Sequence, residues 1–113
     1  MSDFTFKEVV EKTNEVIKAF QKAEQRDWGI EGNMIELMKQ VGDLSKNVMI
    51  FEKYYITKKT NDPSYNKDSK DEIGDELSDI FFMLIRIANH YKIDLEKAHM
   101  KALKNALTYI KEK

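Results

Sequence analysis

Apolar side chains recur at helical spacing in four segments of the chain, separated by stretches in which polar residues dominate. The segments run from about Phe4 to Gln25, from about Asn33 to Tyr55, from about Ser69 to His90, and from Asp94 to the C-terminus. The second segment has the most regular stripe, with apolar residues three or four positions apart at Leu37, Val41, Leu44, Val48, Phe51 and Tyr55. Because one face of an α-helix repeats about every 3.6 residues, this pattern predicts four amphipathic helices.

Polar and helix-breaking residues mark the ends of these helices. Ser2 or Asp3 can cap the first helix and Asp94 the fourth, because their side-chain oxygens can accept hydrogen bonds from free backbone N–H groups. Residues Thr57 to Lys70 have no periodic apolar positions and include Pro63, so we predict a polar loop between the second and third helices.

Length and composition fit a single helical domain spanning residues 1–113. A chain of 113 residues is long enough for one hydrophobic core, and four glycines and one proline are few for a fold rich in strands and turns. We therefore predict an all-α four-helix bundle. Phe82 and Ile85 widen the apolar surface of the third helix beyond one stripe, which predicts a homo-oligomer unless the first helix covers that face.

The charge balance and the residue types exclude several classes of function. The 19 basic residues nearly balance the 20 acidic ones, so the chain lacks the one-sided basic field typical of proteins that bind nucleic acid polymers. With no cysteine, disulfides, thiolate zinc sites and cysteine nucleophiles are excluded. No apolar run approaches the roughly 20 residues that span a bilayer, and the charged N-terminus does not resemble a signal peptide. We therefore expect no membrane partner and a cytoplasmic location.

Acidic and amide side chains lie beside the apolar stripe on the second and third helices. At about 100° per residue, Glu36, Gln40 and Asp43 fall on one flank of the second helix. Glu76 and Asp79 fall on one flank of the third, and we call these five residues the acidic flanks. If the helices pack antiparallel, the flanks converge, and their carboxylates repel one another unless they bind a cation or take up protons.

Oxygen ligands without sulfur favour Mg²⁺ or Mn²⁺ over zinc, so the acidic flanks predict a magnesium site. The alternative is a solvated face. Acids three residues apart on a helix commonly form one in a chain that is 35% charged.

The motifs of the third and fourth helices resemble those of a known family. Glu76-Leu77-Ser78-Asp79 continues into apolar residues, Ile93-Asp94-Leu95 then turns into the last helix, and Lys101 and Asn105 follow on it. In order and spacing this resembles the MazG-type nucleotide pyrophosphohydrolases, over roughly Arg26 to Asn105. The resemblance implies an all-α, dimeric or tetrameric protein. It also implies Mg²⁺-dependent hydrolysis of a nucleoside triphosphate, often a deoxynucleotide, to the monophosphate and pyrophosphate.

The resemblance also implies roles for individual residues. Asp43, Glu76 and Asp79 correspond to acids that hold the metal and activate water, and Lys101 and Asn105 to residues that contact phosphate or sugar. Trp28 has a counterpart in many members, where it can contact a base, although it can equally close the end of the bundle.

The second helix departs from the family pattern. Members typically read E-E-x-G-E-L, and this chain reads Lys39-Gln40-Val41-Gly42-Asp43-Leu44. Gln40 replaces an anionic ligand by a weaker carbonyl ligand, which we expect to weaken Mg²⁺ binding. Glu36, one turn earlier on the same flank, can restore the negative charge that is lost at Gln40. Glu36 and Asp43 would then replace the pair of metal-binding glutamates that family members carry at the positions of Gln40 and Asp43.

Three functions therefore remain open at the level of sequence. The first is a nucleoside triphosphate pyrophosphohydrolase of low activity. The second is a catalytically degraded MazG paralogue that binds a nucleotide or acts as an assembly or regulatory subunit, which Lys39 and Gln40 favour. The third is a helical oligomerisation domain whose acids are only solvated.

Overall fold

The described elements are all α-helices. A computed structural model describes residues 3–54 and 63–112, apart from the side chains of 63–69. It contains α1 (Phe6–Ala23), α2 (Gly29–Phe51), α3 (Pro63–His90) and α4 (Leu95–Lys111), and no strand occurs in these described ranges. The predicted all-α class with four helices is therefore confirmed. Within the part of the chain that the structure describes, no helix has both the length and the apolar character needed to cross a bilayer.

The first helix begins later than predicted, and a different residue caps it. Thr5 is the N-cap: its Oγ1 accepts a hydrogen bond from the Glu8 amide at 3.1 Å, and its own amide donates to Glu8 Oε1 at 3.2 Å. This reciprocal capping box satisfies two backbone N–H groups at once, which a cap at Ser2 or Asp3 alone would not do. The prediction of Ser2 or Asp3 as the cap is therefore wrong, whereas Asp94 caps α4 as predicted, accepting from the Lys97 amide at 3.0 Å.

The loop predicted between Thr57 and Lys70 is wrong in its second half. The third helix begins at Pro63, six residues before the predicted start at Ser69, and residues 63–70 are helical. Proline suits the first position of a helix, because no N–H is needed there and its fixed φ already matches the helix. Residues 57–62 lie outside the described residues.

Helices α2 and α3 end in the same backbone motif, with a lysine in the left-handed conformation. Lys53 has φ +62° and Lys92 has φ +56°. After α3, the Ile93 amide donates to the Ala88 carbonyl at 2.9 Å and the Lys92 amide donates to the Asn89 carbonyl at 3.1 Å. This pair of bonds is the Schellman arrangement, which glycine usually provides.

The chain forms two compact units. Unit 1 comprises α1, the end of α3 from Ile85 onward, and α4, whereas unit 2 is Trp28–Leu84, with α2 and most of α3. The most buried apolar residues of unit 1 are Ile17, Ile85 and Ala88, and those of unit 2 are Ile50 and Met83. Ile85 is only 1% exposed, so it does not extend an exposed face as predicted. Phe6 and Val10 of α1 line the same cavity as Ile85, in agreement with the alternative that the first helix covers this position.

Candidate functional site

Both acidic flanks lie in unit 2, and the charge on one helix acts on the other. Partial burial raises the pKa of the Glu76 carboxyl, and the negative charges of Asp43 and Asp79 raise it further, whereas the Lys39 ammonium lowers it. Since Asp43 belongs to α2 and Glu76 to α3, the two flanks lie within electrostatic range of each other. Like charges held this close favour binding of a cation or a proton.

The flank of α2 is organised around Lys39. Its Nζ lies 3.3 Å from Glu36 Oε1 and 3.9 Å from Asp43 Oδ2. The hydrogen bond to Glu36 is the largest cause that raises the pKa of the Lys39 ammonium, and the charges of Glu36 and Asp43 add to it. Gln40 Nε2 also donates to Glu36 Oε1 at 3.3 Å, so one carboxylate oxygen accepts from two side chains. Glu36 is therefore the most heavily engaged acid of this flank.

Two carboxamide oxygens of α2 are buried without a hydrogen-bond partner. They belong to Gln40 and to Asn33, and Asn33 is only 6% exposed. A buried carbonyl oxygen without a donor costs about 1–3 kcal/mol, and such groups are uncommon in folded proteins. Asn33 was missed at the level of sequence. The signal was its place four residues before Leu37, which puts an amide on the apolar stripe.

The donor chemistry of the acidic flanks fits a hard divalent cation. Four carboxylates and the unpartnered oxygen of Gln40 provide oxygen donors only, as Mg²⁺ and Mn²⁺ prefer. Two of these carboxylates, on Glu36 and Asp43, are in contact with the Lys39 ammonium. Among the described residues, no three His, Asp or Glu side chains are grouped closely enough to hold a metal ion.

The other predicted site residues are Trp28 in unit 2 and Lys101 and Asn105 in unit 1. Trp28 is half-buried at the start of α2, where a Cβ added to Gly32 would lie 3.0 Å from the Trp28 Cβ. At about 1.5 Å per residue, Trp28 is roughly 12 Å from Glu36 and roughly 22 Å from Asp43 along α2, so the indole lies at the start of this helix and the carboxylates lie in its middle. Lys101 and Asn105 are exposed, one turn apart on α4, in unit 1.

Unit 1 contains a buried ion pair that the sequence did not predict. Arg86 Nη2 donates to Glu24 Oε1 at 2.7 Å, and these side chains are only 6% and 14% exposed. Nearby, Asn89 Nδ2 donates to Asn14 Oδ1 at 2.7 Å. Both contacts join α1 to the end of α3. The available signal was an arginine between the apolar residues Ile85 and Ile87 of α3, although its partner was not apparent.

Unit 1 also contains a cavity of about 390 Å³ near the start of α4. Its walls are mostly apolar, from residues such as Phe6, Val10 and Ile93, and Lys7, Asp94 and Glu96 also line it. The Asp94 carboxylate is engaged as the α4 cap. The acidic flanks remain the stronger candidate for chemistry, because several carboxylates interact there.

Comparison of this chain with models of protein families, with curated proteins and with solved structures gives no match. The likeness to MazG-type enzymes therefore depends on the sequence motifs, considered together with the helices on which they lie.

Proposed function

We propose that this chain is a MazG-like pyrophosphohydrolase of low activity, which binds a nucleoside triphosphate or deoxynucleotide together with Mg²⁺ or Mn²⁺. The observation that carries the proposal is that the charges of Asp43 on α2 and of Asp79 on α3 both act on the Glu76 carboxyl and raise its pKa. Oxygen donors on two helices whose charges act on each other suit a cation that binds phosphate oxygens.

The acidic flanks would hold the metal, with Glu76, Asp79 and Asp43 as anionic ligands and Glu36 or the Gln40 oxygen completing the set. A bound Mg²⁺ would neutralise phosphate oxygens and make a nearby water more acidic. Lys101 and Asn105 would contact phosphate or sugar, and Trp28 would contact a base if it takes part in binding.

The reaction consumes one water for each triphosphate. The water oxygen attacks a phosphorus at the α–β anhydride, a carboxylate of the acidic flanks accepts the water proton, and the bond between that phosphorus and the bridging oxygen breaks. The products are the nucleoside monophosphate and pyrophosphate. Among the acids, Glu76 is our candidate for the proton acceptor, because it is less exposed than Asp79.

Release of pyrophosphate from a panel of ribo- and deoxynucleoside triphosphates, with Mg²⁺ or Mn²⁺, tests the proposal. We expect turnover in the wild type and none in Asp79→Asn. Asp71→Asn, which neutralises an exposed acid two turns earlier on α3, is the matched control and should keep wild-type turnover. Turnover that survives Asp79→Asn would contradict the assignment of the acidic flanks.

A second candidate function is nucleotide binding without hydrolysis, as in a degraded paralogue or a regulatory subunit. The contacts of Lys39 with Glu36 and Asp43 favour it, because they engage two of the proposed metal ligands. Calorimetric titration with the same nucleotides distinguishes the candidates. Binding without pyrophosphate release supports the second function, and absence of both supports a plain helical oligomerisation domain.

We also propose that the chain forms a homodimer or homotetramer. Support comes from α4, where large apolar side chains are 45–65% exposed: Met100, Leu103, Leu107, Tyr109 and Ile110. Exposed apolar patches of this kind commonly mark interfaces. Light scattering coupled to size-exclusion chromatography should give two or four times the mass of one chain, and Leu107→Glu should shift it toward the monomer.

A further inference from the structure

We infer that the cavity of unit 1 binds a small zwitterionic molecule with an apolar body, in the class of the free apolar α-amino acids. The cavity is lined by residues of unit 1, whereas the acidic flanks belong to unit 2, so the inference does not depend on the proposed function. Its volume of about 390 Å³ lies in the lower part of the range of about 300–1,000 Å³ for small-molecule sites in proteins. An amino acid of the size of leucine or phenylalanine fits such a volume.

The apolar walls of this cavity come from three parts of the chain. Phe6 and Val10 are four residues apart on α1 and therefore lie on one face of that helix. Ile85 and Ala88 of α3 are only 1% and 7% exposed. Ile93, in the turn that leads to α4, also lines the cavity. An apolar side chain that enters the cavity exchanges water for these walls, which favours binding.

Charged side chains of both signs line the same cavity. Lys7 provides an ammonium from α1, and Asp94 and Glu96 provide carboxylates at the start of α4. Among the described residues, no ion pair joins Lys7 to either of these acids. Asp94 Oδ1 already accepts a hydrogen bond from the Lys97 amide at 3.0 Å, so Glu96 is the main candidate for contact with a ligand ammonium.

The signs of these charges indicate the class of ligand. A ligand with only a negative charge would meet two carboxylates and one ammonium, and a ligand with only a positive charge would be repelled by Lys7. A molecule that carries both an ammonium and a carboxylate can pair with Glu96 and with Lys7. Apolar α-amino acids carry both charged groups and an apolar side chain on one carbon. Because Lys7 and Glu96 are exposed, each charge pair adds little, and the apolar contact must supply the rest of the affinity.

Titration of the full-length protein with three probes of similar size, followed by heteronuclear NMR at low salt, tests the inference. L-phenylalanine has both charged groups, phenethylamine lacks the carboxylate, and 3-phenylpropionate lacks the ammonium. We expect L-phenylalanine to bind with a dissociation constant of about 1 mM or lower, and the other two probes to bind at least about threefold more weakly. The signals of Ile85, Ala88 and Ile93 should shift. Equal affinity for the three probes, or shifts confined to residues outside the cavity, would overturn the inference.

Variants that remove one charge each test the contacts separately. Lys7→Met should weaken binding of L-phenylalanine about twofold to fivefold and should not weaken binding of phenethylamine. Glu96→Gln should weaken binding of L-phenylalanine to a similar extent and should not weaken binding of 3-phenylpropionate. Lys18→Met, at an exposed position of α1 that does not line the cavity, is the matched control and should keep wild-type affinity for all three probes.

A third kind of variant fills the cavity. Val10→Phe should abolish binding of all three probes while circular dichroism shows that the helices are kept. If this variant does not fold, the variants of the exposed Lys7 and Glu96 still test the inference. Binding that Val10→Phe abolishes but neither charge variant changes would show an unselective apolar cavity and overturn the ligand class. Failure of L-phenylalanine to bind the wild type would overturn the inference directly, and neither result bears on pyrophosphate release.

Discussion

The two units of this chain differ in how their polar side chains are paired between helices. In unit 1, the buried Arg86 pairs with Glu24 at 2.7 Å although its Nε makes no hydrogen bond, and the exposed Asn89 pairs with Asn14 at 2.7 Å. In unit 2, the oxygens of Asn33 and Gln40 are buried without partners, and Glu76 is held near like charges. The polar pairs of unit 1 join one helix to another, whereas the two buried carboxamide oxygens of unit 2 have no contact of that kind.

This difference indicates which unit carries the chemistry. Folded proteins usually satisfy buried polar groups, and the exceptions concentrate where a ligand or a proton supplies the missing partner. Unsatisfied oxygens and crowded carboxylates lower stability unless binding compensates for them. The contrast therefore supports placing the proposed site in unit 2 and a structural role for the polar pairs of unit 1.

The largest effect should come from breaking the buried ion pair of unit 1. Glu24→Ala leaves the Arg86 charge in a buried position, so it should lower the free energy of unfolding by about 3–5 kcal/mol. Urea denaturation followed by circular dichroism measures this change. Glu15→Ala, at an exposed acid of the same helix, should change stability by less than about 0.5 kcal/mol. A loss below about 1 kcal/mol in Glu24→Ala would show that this pair contributes no more than a surface salt bridge.

Replacing one asparagine in each unit should change stability in opposite directions. Asn33→Leu removes a buried amide oxygen that has no hydrogen-bond partner and should raise the free energy of unfolding by about 1–2 kcal/mol. Asn14→Leu leaves Asn89 without its acceptor and should lower it by about 1 kcal/mol. Urea denaturation of the two variants measures both changes. Changes of the same sign in the free energy of unfolding of the two variants would contradict the contrast between the units.

Replacing the left-handed lysine by glycine should have the same effect on stability at the end of α2 and at the end of α3, because both ends have the same backbone motif. Lys92→Gly and Lys53→Gly each relieve a left-handed residue and should raise the free energy of unfolding by about 0.5–1 kcal/mol. Lys104→Gly, inside α4, should instead lower it by about 1 kcal/mol. Thermal unfolding of the three variants tests this. If Lys92→Gly is less stable than wild type, the lysine side chain contributes more to stability than relief of the left-handed backbone conformation does.

The smallest effect concerns pH and the acids of unit 2. The folded-state pKa of Glu76 is raised above its ordinary value of 4.5, so the folded protein binds its proton more tightly than the unfolded chain does. Stability without metal should therefore decrease as pH rises from 4.5 through the raised pKa, and recover as pH falls through the same window. Glu76→Gln removes this contribution and should be more stable at neutral pH by about 0.2–1 kcal/mol.

Urea denaturation of wild type and Glu76→Gln across pH 4 to 8 measures the difference. Asp71→Asn should follow the wild-type profile, since Asp71 is not among the main charges that shift the Glu76 pKa. A wild-type advantage that grows with pH would contradict the predicted sign.

Much of the local structure was predictable from residues close together in sequence. Periodic apolar positions gave the four helices, and Asp94 was a recognisable cap. The start of α3 was not predicted, because residues 63–70 lack periodic apolar positions and a proline fits a loop as well as a first helical turn. The contacts of Lys39 also depend only on spacings of three and four, so the sequence already contained them.

By itself, the sequence determined the helices, the residues on each flank and the lysine between two acids, because these depend on the geometry of a single helix. Only the tertiary structure decided that Arg86 would meet Glu24, 62 residues away, and that the side-chain oxygen of Asn33 would be buried without a hydrogen-bond partner. It also decided that Asp43 and Glu76 would act on each other. The physical reason is that burial and charge coupling depend on which surfaces pack together, and helical periodicity does not specify the partner of each surface.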